Sequence, residues 1–301
     1  MTTRIGIDLG GTKTDAVALS ATGEVLFEKR VATPRDYDAI LAGVTSLVRE
    51  ARARAGASVT VGMGSPGSQS PQTGLWRNSN LVSCNGRPFA ADLRRELSLP
   101  LRIENDANCF ALSEALDGAG MGYEMVAFFT IGTALGGGLV IGGKLRTGPN
   151  AEAAEFGHTP LPWPTASEWP PLPCFCGKSG CAEQYVSGTG LARDYAMATG
   201  HALPGKEIVA RARIGEVLAQ AALIRLQDRF ARVAANIVHV IDPDIFVVGG
   251  GLSPLPELVE EMAPLVSRYS FSGTAATKFA RAAHGETSGV RGAARLWDEL
   301  R

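Results

Sequence analysis

Charge of one sign is what this sequence lacks most: 29 lysines and arginines stand against 30 aspartates and glutamates. No bulk field therefore draws the chain toward phosphate backbones or anionic lipid, and nucleic acid is not expected among its partners. No apolar stretch approaches the roughly 18 residues of a membrane span, and no charged-then-apolar leader precedes the strand-like run at Arg4. The expectation is a cytoplasmic protein with no membrane partner. Low-complexity segments and long charge runs are missing as well. What is present, 45% apolar and 20% charged residues over 301 positions, suits a globular protein long enough for two domains.

The chain alternates strands with helices, which predicts an α/β architecture. "RIGIDLGG" from Arg4 reads as a buried strand ending in glycines, and "AVALSATGEVLFEKRV" as two more strands around a turn at Thr22 and Gly23. From Asp36, a natural cap, Ile40, Leu41, Val44, Leu47, Val48 and Ala51 recur at helical spacing. "VTVGMGSPG" and "LRIEN" are strands, and "DANCFALSEAL" is a helix. At Met125 the opening pattern returns: "MVAFFTIGTALGGGLVIGGKL" is again strand, Gly/Thr turn and strand, a weak duplication that predicts two similar domains facing each other. Residues 159 to 182 read as an ordered loop, Ile214 to Ile241 as one long helix, "DIFVVGGG" as a strand and "PELVEEMAPLV" as a helix. The expected division is a small N-terminal domain of residues 1–114, rejoined by a last helix at 289–301, and a larger domain of residues 115–288.

Three glycine turns follow strands. "DLGGTKTD" (Asp8 to Asp15) delivers Gly10 and Gly11, then the donors Thr12 and Lys13, into a tight turn where backbone N–H groups can approach an anion. It is not a P-loop, because a hairpin rather than a helix comes next. Alone it could be a plain Gly-rich hairpin. "IGTALGGG" (Ile131 to Gly138) repeats the chemistry, with Thr133 as the hydroxyl, and "VVGGG" adds Gly249 and Gly250. Phosphates clamped between two related domains account for all three turns together.

"IENDANCFALSEA" puts Asn105 and Asp106 where a strand hands over to a helix. Asp106 could simply cap that helix. The same place also suits a carboxylate kept ionised by the helix dipole and able to take a proton from an alcohol attacking phosphorus, with Asn105 holding a neighbouring hydroxyl.

"PCFCGKSGCAEQY" carries three of five cysteines. Cys174, Cys176 and Cys181 surround Gly177 and Gly180, which let the chain fold back, and His158 is the histidine nearest in sequence. Tetrahedral zinc wants four N/S ligands, and this set supplies them. A redox pair competes but lacks the usual CxxC, and a chance thiol cluster is the third reading. A closed Cys3His site is structural, so its value would lie in fixing Glu155 and Glu183, carboxylates of the kind that grip sugar hydroxyls; otherwise these two are solvated loop charges. Cys84 and Cys109 lie in apolar surroundings and read as core.

The glycine turns resemble the two phosphate motifs and the adenosine motif of the actin-like (ribonuclease H-like) ATPase fold of sugar kinases and heat-shock ATPases. That resemblance implies that Asp8 orients magnesium through water, that Gly10, Gly11, Thr12, Lys13 and Thr133 hold phosphates, and that Gly249 and Gly250 border adenosine. One departure is Ala134, where relatives usually carry glycine; a positive φ there would cost on the order of 1 kcal/mol. Taken in order, "DLGGTKT", "NDAN", "EFGH", "CFCGKSGCAE" and "VVGGGLS" resemble the ROK family of bacterial sugar kinases and related repressors over essentially the whole chain. The family resemblance implies Asp106 as catalytic base, Asn105, Glu155, His158 and Glu183 on sugar hydroxyls, a zinc held by His158 with the three cysteines, and a homodimer. It also implies transfer of the γ-phosphoryl of MgATP to a hexose. "TPRDYDAI", "GHTPLPW", "SGTGLARDYAMATGHALPGKEI" and "HGETSGVRGAARLW" look most like fructokinases of the mannofructokinase type, implying fructose to fructose 6-phosphate with mannose or glucose also accepted. The alternatives are an N-acetylglucosamine kinase, which shares "NDANCFALSEA", or a glucokinase. A sugar-responsive repressor is disfavoured, since the hairpin starting at Arg4 leaves no expected room for a helix-turn-helix.

Overall fold

Alternating burial organises the opening strand, β1 (Thr3–Leu9), in which Ile5, Ile7 and Leu9 are fully enclosed. The computed structural model describes residues 3–298 except residue 57. β2 (Lys13–Leu19) and β3 (Val25–Ala32) follow as antiparallel neighbours, joined through Gly23 at φ 89°. α1 (Tyr37–Ala55) is capped by Asp36, whose carboxylate accepts from the Ala39 N–H at 3.0 Å, and it buries the six apolar positions that its period singles out. Then come β4 (Val59–Ser65), the short pair β5 (Ser68–Gln69) and β6 (Trp76–Arg77), α2 (Phe89–Leu97), β7 (Leu101–Asn105) and α3 (Asp106–Asp117). The second half runs β8 (Met125–Ile131), β9 (Leu135–Ile141), β10 (Lys144–Leu145), α4 (Gly188–Thr199), α5 (Gly205–Arg213), α6 (Val217–Ile241), β11 (Ile245–Gly249), α7 (Met262–Tyr269), β12 (Lys278–Arg281) and α8 (Ser288–Arg295).

The two five-stranded sheets have orders β3-β2-β1-β4-β7 and β10-β9-β8-β11-β12. Each begins with a hairpin whose first strand is central and then adds parallel strands on its other side. The duplication legible in the sequence is thus one topology used twice, the mixed α/β arrangement of the actin-like ATPase fold. The chain divides into two units. The first gathers the chain up to Gly122, Gly138–Ala153 and the stretch from Ala283 onward; the second gathers Tyr123–Gly137 and Ala154–Ala282. Residues 1–2 of the expected first domain and 299–301 of the expected last helix lie outside the described residues. No helix among the described residues is long and apolar enough to cross a membrane.

Two expected helices are shorter than their sequence period. Ile214 belongs to the end of α5, and Gly215, at φ 93°, separates it from α6, which starts at Val217. "PELVEEMAPLV" splits into a 3-10 turn at Pro256–Leu258 and α7. Continuous helix there would need an N–H from Pro264 toward Glu260, which proline lacks.

In the first unit α8 lies directly on the sheet and on α3, because side chains are missing where they meet. A Cβ on Gly6 would overlap the Val290 carbonyl, one on Gly62 the Ala293 carbonyl, and one on Gly292 the Cys109 carbonyl of α3. Backbones this close exclude even a methyl group, and the neighbours are themselves backbone and cannot step aside. Gly292→Ala is expected to lower the unfolding free energy by about 3 kcal/mol, the upper range for overpacking. Urea titration measures it, and an unchanged midpoint would contradict the packing.

Candidate functional site

Parallel pairing sets the first cluster. Asp8 on β1 is level with Gly64 on β4, Gly64 with Glu104 on β7, and Ser65 with Asn105, so the strand ends bring Asp8, Asn105 and Asp106 to one sheet edge. Gly64 makes room between them: a Cβ there would lie 3.2 Å from the Cys109 Sγ and 3.6 Å from the Asp106 Cα. The helix cap is Asn105 rather than Asp106. Asn105 Oδ1 accepts from the Ala107 N–H at 2.9 Å while its amide donates to the Gly67 carbonyl at 3.3 Å. Asp106 is the first helical residue, and its Oδ1 shares the Ala107 N–H at 2.9 Å.

Burial acts on this cluster alongside the helix dipole. Burial raises Asp106 above the ordinary carboxylate range, opposed by the Ala107 hydrogen bond. Asp8 is raised to about 7, first by burial and then by the charges of Asp106 and Asp15, with Lys13 and Arg30 opposing. Although both side chains keep some contact with solvent, the surrounding protein strips away most of their hydration. A raised carboxylate near a substrate hydroxyl is a stronger base than a free one, and a crowd of carboxylates is a place for a cation.

The hairpin that follows Asp8 closes with Gly10 N–H on the Lys13 carbonyl at 3.0 Å, and Thr33 steadies it by donating to the Gly10 carbonyl at 2.8 Å. A Cβ on Gly10 would come within 2.8 Å of that Lys13 oxygen. Lys13 is exposed and pairs with Glu286 at 2.9 Å, and Thr12 and Gly11 are exposed or half-buried beside it.

In the second unit the matching turn closes with Gly132 N–H on the Ala134 carbonyl at 3.0 Å, leaving Thr133 exposed. Ala134 is not among the residues with positive φ, so the strain expected from alanine does not arise. The third turn packs on this one. Gly250, at φ 85°, would bring a Cβ to 2.7 Å from the Ile131 carbonyl, and a Cβ on Gly249 would meet the Phe128 ring at 2.9 Å.

Leu135, at the start of β9, gathers the remaining residues. Its N–H donates to Glu183 Oε2 at 3.4 Å, and Gly157 lies so close over its carbonyl that a side chain is excluded. The 3-10 turn Phe156–His158 therefore sits beside the turn Ala182–Gln184, with Glu155 at its start. Glu183 is only 8% exposed, which rules out a solvated loop charge; Glu155 is exposed. Ser187 fixes the Glu183 backbone by donating to its carbonyl at 2.8 Å while capping α4 at Gly190. A concavity of about 250 Å³ opens here, lined by Thr133, Glu183, Thr189, Arg193 and Phe175 among others.

Gly177 and Gly180, at φ 83° and 80°, fold the cysteine segment back on itself. The donor atoms of His158, Cys174, Cys176 and Cys181 lie within 4.8 Å of one another, and no cysteine is in a disulfide. His158 Nδ1 is 3.6 Å from Cys174 Sγ, and Cys176 and Cys181 Sγ are 3.6 Å apart. Ligand edges of about 3.3–3.8 Å follow from tetrahedral zinc bond lengths, so the set fits that ion. Burial and then the neighbouring thiols push Cys181 up to about 12, the crowding of potential anions that a bound cation relieves. With Nδ1 facing the thiols, His158 Nε2 is left for another partner.

The sequence reading missed a buried ion cluster. Glu168, in the 159–182 loop, accepts from Arg229 at 2.7 Å and from Arg232 at 2.7 and 3.0 Å. Arg229 also pairs with Asp194 at 2.8 Å, and Arg232 donates to the Trp163 carbonyl at 2.8 Å. Burial alone would raise Glu168, but these two arginines outweigh it and hold it at about 2. The loop therefore has an ionic anchor on α6 in addition to its cysteine end.

The chain matches the ROK family over residues 4–300 and belongs to it. An N-acetyl-D-glucosamine kinase from Escherichia coli O157:H7 is 40% identical over 296 residues, 97% of this chain and 98% of its own. Among solved structures, a ROK hexokinase from Thermus thermophilus superposes with a TM-score of 0.88 at 27% identity, covering 99% of both chains. A ROK family glucokinase from Streptomyces griseus, solved with glucose and AMPPNP, gives a TM-score of 0.75 at 31% identity over 98% of both chains.

The raised Asp8 makes stability depend on pH. The folded state favours its protonated form, so its contribution is intact below the ordinary aspartate range and is lost as pH rises toward about 7. Asp8→Asn is accordingly expected to raise the melting temperature of the ligand-free protein more at about pH 8 than at about pH 4. Scanning fluorimetry at both pH values checks this; an equal change at the two would contradict it.

Proposed function

We propose that the protein is an ATP-dependent sugar kinase whose acceptor is N-acetyl-D-glucosamine, phosphorylated at a hexose hydroxyl. One observation carries the reaction type: Asp106, raised by burial, stands at a helix start on the same sheet edge as Asp8 and the Gly10–Lys13 hairpin. The acceptor rests on the near full-length relatives named N-acetyl-D-glucosamine kinase at 39–40% identity. They favour that reading over the fructokinase suggested by individual segments, and over mannose or glucose as principal substrate. Hexoses present similar hydroxyl arrays, so short segments discriminate poorly between them.

In this reading Asp106 accepts the proton of the attacking hydroxyl, and Asn105 steadies a neighbouring one. Gly10, Gly11, Thr12, Lys13 and Thr133 offer N–H, hydroxyl and ammonium donors to phosphate oxygens. Asp8 is placed to take up the water shell of a cation, and Gly249 and Gly250 leave flat backbone for adenosine. Magnesium, when bound with ATP, neutralises charge on the transferring phosphoryl group. Glu155, Glu183 and the free nitrogen of His158 grip sugar hydroxyls, while His158 Nδ1 and the three thiols hold a structural zinc. Location in the cytoplasm and assembly as a homodimer belong to the same proposal.

The decisive experiment is a coupled ATP assay across N-acetylglucosamine, N-acetylmannosamine, glucose, mannose and fructose. N-acetylglucosamine is expected to have the highest kcat/KM, and a higher value for fructose would restore the fructokinase reading. Asp106→Asn should reduce kcat by at least about 10³-fold while sugar binding, followed by calorimetry, is retained. Near-normal turnover in that variant rejects the base.

Chelation tests the metal through order rather than activity. Removing zinc is expected to speed amide exchange over residues 172–183 while residues 165–169, tied by Glu168 to α6, keep their protection. Full protection throughout, with no metal found in the purified protein, would remove zinc from the proposal.

A further inference from the structure

Glu114 is a wholly buried carboxylate that the proposed chemistry leaves unused. It lies in the last turn of α3 and collects four donors. Oε2 accepts from the Ala119 N–H at 3.0 Å and the Ala283 N–H at 2.8 Å; Oε1 accepts from the His284 N–H at 3.0 Å and the Ser288 hydroxyl at 2.8 Å. Three of these belong to the segment that leads into α8, so the carboxylate both satisfies orphan N–H groups there and complements the positive end of that helix. A charge so fully hydrogen-bonded is held in one place.

Its neighbours give that place a consequence. Gly289 follows Ser288, and a Cβ on it would lie 2.5 Å from Asp8 Oδ2 and 2.7 Å from the ring of Phe110 on α3. The start of α8 thus forms a wall of the space that Asp8 occupies. Asp106 stands eight residues before Glu114 on the same helix, about 12 Å along a rigid rod. One element carries the base at its beginning and the clamp at its end, and the clamp sets the backbone that confines the other aspartate.

We propose that Glu114 is a positioning residue for phosphoryl transfer, fixing the start of α8 against α3 so that Asp8 and Asp106 keep their working separation. This rests on the kinase reading above. Misplacement of reacting groups by about 1 Å costs on the order of 10²-fold in rate, so loss of the clamp acts on turnover before it acts on the fold.

The test compares Glu114→Gln, which keeps shape but replaces one acceptor oxygen by an amide NH2 that meets at least one backbone N–H donor, with Ser288→Ala, which deletes one donor and leaves the backbone bonds. Glu114→Gln is expected to lower kcat at least about tenfold and to change KM for the sugar less than kcat, since Glu155 and Glu183 of the proposed sugar contacts lie in the other unit while Asn105 and Asp106 stand at the start of α3, which carries the clamp. Ser288→Ala should show a smaller loss of the same kind, and the double variant should be no worse than Glu114→Gln alone. Circular dichroism and urea midpoints establish that each variant is folded in the assay; should Glu114→Gln not fold, Ser288→Ala decides. Folded variants with wild-type kcat, or with additive losses, overturn the inference while the kinase reading stands. A wild-type protein that phosphorylates no sugar overturns the reading first.

Discussion

The parallel register of β1, β4 and β7 is the constraint on which the rest of the candidate site depends. It sets Asp8 level with Gly64 and Ser65 level with Asn105, so that two acidic side chains from positions nearly a hundred residues apart in sequence share one edge. A slip of one residue would turn each to the opposite face of the sheet. The glycine at 64 and the crossing of α8 over Gly6 and Gly62 then decide how tightly the layers close. Tight closure removes water from the carboxylates, and it is this dehydration, before any neighbouring charge, that raises Asp8 and Asp106.

The second unit solves a different problem, holding an irregular stretch of chain still. Residues 159–182 contain little regular structure, and their backbone hydrogen bonds are those of turns and isolated bridges rather than of a continuous ladder. Two unlike side-chain devices add to them. At one end sulfur and imidazole donors gather within 4.8 Å of one another; at the other a dehydrated glutamate is locked between two arginines of α6. A buried ion pair adds little net stability, because dehydration of the charges offsets most of the attraction, but removing either partner leaves the other charge buried without compensation. The loop borders His158 at one end and Glu183 at the other.

Much of this was readable in the sequence, and the reason is locality. Strand–glycine–strand units, the capped period of α1, the Asn105–Asp106 junction and the cysteine knuckle each declare themselves within about 25 residues, where spacing maps onto geometry. The cap fell to Asn105 because two capping residues stand side by side there, and periodicity cannot choose between them. Gly215 and Pro264 interrupt helical patterns that apolar spacing alone would continue. What stayed hidden was long-range: Glu168 finds Arg232 across 64 positions, and Glu114 finds Ser288 across 174, partnerships that no window contains. Substrate identity stayed hidden for a chemical reason, since hexoses present similar hydroxyl arrays that short segments do not tell apart.

The seam where α8 crosses the first sheet has an evolutionary corollary. Four positions along it, Gly6, Gly62, Gly289 and Gly292, cannot accept a single added carbon without displacing backbone or the Asp8 carboxylate. The seam has no steric slack, whereas the concavity beside Glu183 is bordered by polar and aromatic side chains. The seam can therefore drift only through changes that leave its backbone contacts intact.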